Sequence, residues 1–303
     1  MSFPIATAKL AVSGRYRLHA KNINTGRERL LADWFPNLIT DNGLNLLTTV
    51  SDDWTYYYGI LYTCALGSSN ITPSNSDTTL KSLVASVNSI NATQTINTTE
   101  NYLSIVKGWT FPEGTAAGNL AEIGVGVDAT NLFSRALIRD ADGNPTTISV
   151  QSNEILTVTY ELRILIPTGD GVSTVSGYNI TLRSAGITST YYWKGRRFVV
   201  QKGSPNDDAY VSANDMGDAT TMPTFDTNRR ATAFITDAYV DNSFSRTGRV
   251  QWDVTAGNIT IKTIVFRFGC GQFQFSVDPP IVKTNEHELT VDVSLSWGRE
   301  GEL

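Results

Sequence analysis

The chain has 303 residues, 41% of them apolar, 10% aromatic and only 17% charged, with a net charge of −5. That composition is too apolar for general disorder and suits one large domain or two ordinary ones, either able to bury a core without staples. The acidic balance draws no phosphate backbone over long range, so no nucleic-acid partner is expected, and no apolar run approaches the ~18 residues of a bilayer-spanning helix, so no membrane is expected either.

In chain order, Met1–Lys9 has no basic start followed by a long apolar run and does not read as a secretory signal. Leu10–Asn24 alternates well enough for one or two strands, with Asn24-Thr-Gly26 as a turn. A short helix follows at about 41–49, with Asp41 as its cap and Leu44, Leu46 and Leu47 on its apolar side. Tyr56–Leu66 reads as an apolar strand, Gly67–Thr79 as a polar loop, and Ser82–Thr99 as an exposed strand or long loop. Tyr102–Phe111 and Ala121–Val127 are strands. Leu132–Ile138 is expected to pair with Thr146–Val150 across Asp140-Ala-Asp-Gly-Asn-Pro145. Glu154–Ile166 is the clearest alternating strand.

Pro167-Thr-Gly-Asp-Gly171 combines breakers and a charge after a strong strand and marks a domain boundary. Beyond it, strands are expected at Tyr178–Leu182, Tyr191–Gln201, Thr232–Val240, Arg249–Val254, Ile259–Phe268, Gln272–Val277 and Glu288–Trp297. Gly203–Asn228 is expected as a long polar loop between them.

The two halves share a template. Glu154-Ile-Leu-Thr-Val-Thr-Tyr-Glu-Leu162 matches Glu288-Leu-Thr-Val-Asp-Val-Ser-Leu295, and Ala117-Gly-Asn-Leu120 matches Ala256-Gly-Asn-Ile259. Gly67-Ser-Ser-Asn70 matches Gly203-Ser-Pro-Asn206, and Val12-Ser-Gly14 matches Val175-Ser-Gly177, in the same order. The expectation is an all-β chain of two tandem, internally duplicated antiparallel β-sandwich domains, jelly-roll or immunoglobulin-like, at residues 1–167 and 172–303, with one short helix in the first.

Chemistry-bearing motifs are sparse. Cys64 and Cys270 lie in apolar strand-like surroundings and read as buried free thiols. With His19 and His287 they lack the close pairs of a zinc site. Asp140, Asp142, Gly143 and Asn144 imitate the opening of a calcium loop, but the required distal acid falls at Gln151, so a hairpin turn explains them better. Asp207, Asp208, Asp215 and Asp218 crowd one loop and read as solvated rather than as a hydrolytic pair. No nucleophile elbow, phosphate loop or metalloprotease signature occurs, so neither a catalyst nor a cofactor is expected.

The segments Pro36-Asn-Leu-Ile-Thr-Asp-Asn-Gly-Leu44, Ala65-Leu-Gly-Ser-Ser-Asn-Ile-Thr-Pro-Ser74, Ala117-Gly-Asn-Leu-Ala-Glu-Ile-Gly-Val125, Leu132-Phe-Ser-Arg-Ala-Leu-Ile-Arg-Asp140 and Gly143-Asn-Pro-Thr-Thr-Ile148 follow one another in order. In kind and order they resemble virion structural proteins of tailed bacteriophages and prophages, over about residues 20–166. That family carries no agreed catalytic residues, so none is transferred. The resemblance implies a non-enzymatic protein, made in the host cytoplasm and carried in the virion, in several copies at the neck, tail, baseplate or fibre attachment. Its partners would be other virion proteins and copies of itself in a ring or trimer. The expected contact residues are Gly67, Asn70 and Pro73 in the first loop and Gly203, Pro205, Asp207 and Asp208 in the second. The alternative is a receptor- or glycan-binding tail protein, with Trp54, Tyr57, Tyr191 and Trp193 as stacking surfaces for a host surface glycan.

Overall fold

A computed structural model describes residues 2–49, 59–185, 208–219, 221–224, 229–268 and 271–302. Strands dominate, arranged in several sheets, and the described chain is all-β with one short helix. It parts into two compact units. The first comprises Val12–Thr95 and Ser104–Ile164; the second comprises Met1–Ala11, Ile96–Leu103 and Leu165–Leu303.

The first unit is built from two sheets. One contains the parts of β1 (Ser2–Asn22), β12 (Glu154–Leu165), β7 (Tyr102–Phe111) and β6 (Ala92–Asn97) that fall within this unit, together with β2 (Glu28–Pro36), with β2 paired to β1 and β6 at the end of the order β1-β12-β7-β6. The other has the order β3 (Leu38–Ile39), β10 (Asn131–Leu137), β9 (Glu122–Asp128), β4 (Thr63–Gly67), β5 (Leu83–Asn88). A small ribbon joins β8 (Gly118–Leu120) to β11 (Ile148–Val150). Strict alternation drives the packing: Val12, Tyr16 and Leu18 of β1 and Leu156, Val158, Tyr160 and Leu162 of β12 all turn inward and are buried. The two sheets meet through these side chains. The Tyr16 and Ser134 hydroxyls share a hydrogen bond of 2.7 Å, Tyr16 and Tyr160 lie 4.7 Å apart between ring centroids, and Asn37 Nδ2 donates to the Tyr160 hydroxyl at 3.0 Å. Burial pushes both tyrosine hydroxyls and the Cys64 thiol well above their ordinary pKa, so all three stay neutral. Cys64 is a buried free thiol; Cys270 lies outside the described residues.

Helix α1 (Asp41–Thr49) is where the sequence placed it. Its cap differs: Thr40 Oγ1, not Asp41, accepts the Gly43 N–H at 2.9 Å, while Asp41 stands in the first turn beside the positive end of the helix. A helix of nine residues is held by docking rather than by propensity. Gly43 permits that docking, because a Cβ there would lie 2.0 Å from the Phe133 carbonyl oxygen on β10.

The second unit also has two sheets. One runs β13 (Gly171–Val175), β14 (Tyr178–Ser184), β19 (Gly271–Val282), β18 (Thr260–Phe268), β15 (Asp208–Ser212). The other runs β16 (Ala233–Thr236), β17 (Ser245–Trp252), β20 (Leu289–Arg299), β1. Leu289, Val291, Val293, Leu295 and Trp297 form the buried face of β20, as the alternation predicts.

Several local expectations need correction. Of the strand read at Tyr56–Leu66, residues 56–58 lie outside the described residues, Gly59 and Ile60 are helical, and β4 runs from Thr63. Ser82–Thr99 contains two strands, β5 and β6. β10 pairs with β9 and β3 and β11 with β8; of the expected hairpin only the ends next to the turn meet, through the bridge Arg139↔Pro145 and the Thr146 N–H donating to Ile138 O at 2.8 Å. β13 and β15 arise where turn and loop were read. β15 forms because Ala209, Tyr210 and Val211 are buried, an apolar run too short to stand out among polar neighbours. The internal duplication is not confirmed. Val12–Gly14 lies inside β1, whereas Ser176 and Gly177, both at positive φ, make the tight β13–β14 turn.

Candidate interaction site

The loop between β4 and β5 is anchored from below by charges that the fold buries. Arg135 on β10 has no exposed surface, Glu122 at the start of the neighbouring β9 has none, and Asp77 within the loop has almost none. Arg135 Nε and Nη2 both donate to Glu122 Oε2, at 2.9 and 2.7 Å. Its Nη1 donates to Asp77 Oδ2 at 2.7 Å, and Nη2 donates to the Ile71 carbonyl, also at 2.7 Å. Lys81 Nζ donates to Asp77 Oδ1 at 2.7 Å. The second carboxylate is saturated by backbone: Lys81 N–H and Ser82 N–H donate to Glu122 at 3.1 and 2.7 Å. Two cations therefore face two anions, and the remaining lone pairs point at backbone donors, the condition under which buried ion pairs are tolerated. Burial would raise the Asp77 carboxyl, but Lys81, the Ser74 N–H and Arg135 together hold it below the usual carboxylate range.

Backbone bonds close the base of the loop. Ala121 N–H donates to Gly67 O, Ser68 N–H to Ser82 O, Leu132 N–H to Thr78 O, and Asp41 N–H to Asn75 O. Ala65, Leu80 and Leu132 form an apolar cluster alongside. From Ser68 to Ser76 the loop carries no charge and is largely exposed, with Ile71 at 56%. The arrangement is an uncharged surface loop on a rigid ionic footing.

Of the residues expected in contact, Gly67 is buried at the end of β4, where a Cβ would lie 2.5 Å from both Glu122 Oε1 and Ser82 O. It belongs to the anchor and not to the surface. Asn70 is exposed and Pro73 half-buried on the loop itself. Asp208 begins β15, opposite Arg267 on β18. Gly203, Pro205 and Asp207, and the aromatic residues Trp54, Tyr57, Tyr191 and Trp193, lie outside the described residues.

The described part of the second long loop is anchored by the same logic with an uncharged group. Gln274 on β19 is buried. Its Nε2 sits among the carbonyls of Ser184, Gly217, Asp218 and Thr221 at 2.7–3.3 Å, while its Oε1 accepts the Gly217 N–H at 2.8 Å. Arg183 binds Asp170 in a two-pronged pair at 2.6 Å and donates to Gly217 O. Of the four acids that read as solvated, Asp215 is exposed and pairs with Lys262, and Asp218 accepts from the Thr221 hydroxyl. Asp140 Oδ1 accepts the N–H groups of Asp142 and Asn144, which makes that segment a side-chain-stabilised turn.

Asp77, Glu122, Arg135 and Gln274 were not singled out from sequence. The available signal was polarity out of place: a glutamate in Ala121-Glu-Ile-Gly-Val125 and an arginine in Leu132-Phe-Ser-Arg-Ala-Leu137, opposite charges in two otherwise apolar strands.

No protein-family model, curated protein or solved structure matches this chain. Among the described residues, no helix is long and apolar enough to cross a membrane.

Proposed function

We propose that the protein is a non-enzymatic structural component of a tailed-phage virion, present in several copies at the neck, tail, baseplate or fibre attachment, and that the Gly67–Thr79 loop is one of its contact surfaces. The observation that carries this reading is the anchor. The segments resembling virion proteins are the ones that build it: Ala65–Ser74 enters the loop, Ala117–Val125 supplies Glu122, and Leu132–Asp140 supplies Arg135. A chain that buries three charges to fix one uncharged surface loop has spent stability on the shape of that loop, which suits recognition by surface complementarity.

The side chain of Ile71 is free to change because only its backbone carbonyl serves the anchor. Ile71→Asp is expected to leave the melting temperature of the purified protein unchanged and to reduce the yield of complete, infectious particles. Normal particle yield from Ile71→Asp, combined with normal yield from Asn70→Lys, would refute the loop as a contact.

A further inference from the structure

From Ser82 to Thr99 the chain carries no charged side chain, although charged residues make up 17% of the whole. Within the first unit this stretch supplies β5, the last strand of one sheet, and the Ala92–Thr95 part of β6, the last strand of the other. The ribbon from Leu83 to Thr95 is also where apolar side chains reach solvent: Leu83 is 53% exposed, Val84 42% and Ile90 68%, while Thr93 and Thr95 are exposed on β6.

An outermost strand presents unpaired N–H and C=O groups, and proteins protect such edges with charge, proline, bulges or brevity. Other ends of the sheets show those devices. β3 has two residues, β16 has four, and β13 is flanked by the Asp170–Arg183 ion pair. The β5–β6 ribbon has neither charge nor proline. Its register against β4 is broken only at the Leu66/Gly67 end, so Ala85–Asn88 run regularly beside Leu66–Thr63, and among the described residues no strand pairs with their outer side.

We propose that the Leu83–Thr95 ribbon is a strand-addition surface, and that its occupant is the same ribbon of a second copy of this chain. Charge selects the occupant. Two chains that each carry a net charge of −5 repel one another on balance and approach at least cost where charge is missing. An extended partner bearing lysine, arginine or acids finds no countercharge here, whereas an uncharged Val, Thr, Gln and Asn strand finds backbone partners and matching side-chain hydrogen bonds. Pairing of identical ribbons across a twofold axis is self-complementary and closes on itself, so it buries the edge without building a fibre. This inference goes beyond the proposed function, since it concerns a different surface and a different partner from the Gly67–Thr79 loop.

Sedimentation velocity of the purified full chain over a range of concentrations tests it. The expected result is a dimer that dissociates on dilution. Thr93→Lys and Val84→Lys each add like charges across the pairing, so each is expected to raise the dissociation constant at least about tenfold with an unchanged melting temperature. Mixing Thr93→Lys with Thr93→Glu is expected to restore a dimer, which a folding defect would not do. A monomer at every concentration, or an oligomer indifferent to both lysine variants, overturns the inference. A monomeric chain whose Ile71→Asp variant still fails in particles removes this inference alone. A dimer whose Ile71→Asp and Asn70→Lys variants both assemble normally removes the loop contact alone.

Discussion

Arg135 lies between two carboxylates with every donating arm engaged, and none of the three groups has water to fall back on. Replacing it with methionine keeps much of the volume, leaves Glu122 buried without a countercharge and leaves Asp77 with Lys81 alone. The expected cost of Arg135→Met is about 3–5 kcal/mol, the range for breaking one side of a buried pair. Adding Asp77→Asn and Glu122→Gln to that variant removes the stranded charges and is expected to recover part of the loss. Urea denaturation of the single and triple variants checks this, and a triple variant no more stable than the single one would contradict it. At this scale the sequence was legible in residue type but not in partnership. Glu122 and Arg135 are thirteen positions apart on adjacent strands, Asp77 is far from both in sequence, and Gly67 reads as a flexible loop glycine until the Glu122 side chain is found packed against it.

Strand β7 shows how far alternation alone can be trusted. Leu103, Ile105, Trp109 and Phe111 turn inward as the period of two demands, and Lys107 occupies an inward position among them at 1% exposure. Its Nζ lies 5.4 Å from the centre of the Trp109 ring, and burial pulls its pKa down to about 8. The folded chain therefore holds the proton less tightly than the unfolded one, whose lysine titrates near 10.4. The unfolded state binds more protons between those values, so this residue's contribution to stability rises as pH increases from about 8 to about 10 and is least favourable below. Lys107→Met is expected to stabilise the protein by roughly 1–3 kcal/mol at pH 7, with the gain shrinking toward pH 10. Thermal melts at both pH values decide it, and a gain that grows with pH would reverse the sign argued here. Long alternating strands such as β12 and β20 were readable because one face is uniformly buried. β15 and the pairing of β10 were not, since a three-residue apolar run carries little signal and adjacency across a sheet is not written in local sequence.

At the scale of the whole chain, the all-β class followed from composition and strand spacing, whereas the grouping of segments did not. The first eleven residues cluster with the second unit, and the matched Val-Ser-Gly segments fall in a strand interior and in a turn. Similar words at similar spacing reflect a shared vocabulary of inward-facing alternation as readily as a shared fold. What the described residues present is a surface loop fixed by buried charge and, on the same unit, an uncharged edge strand that no other described strand covers. Both suit a protein whose work is done by contact. The most direct measurement is a cryo-electron-microscopy map of the purified tailed particle, with this chain located by a tag at its C-terminus. The expected result is several copies in the neck, tail, baseplate or fibre attachment, with Gly67–Thr79 packed against a neighbouring protein. Absence of the chain from intact particles, or its presence with that loop facing solvent in every copy, would contradict the account.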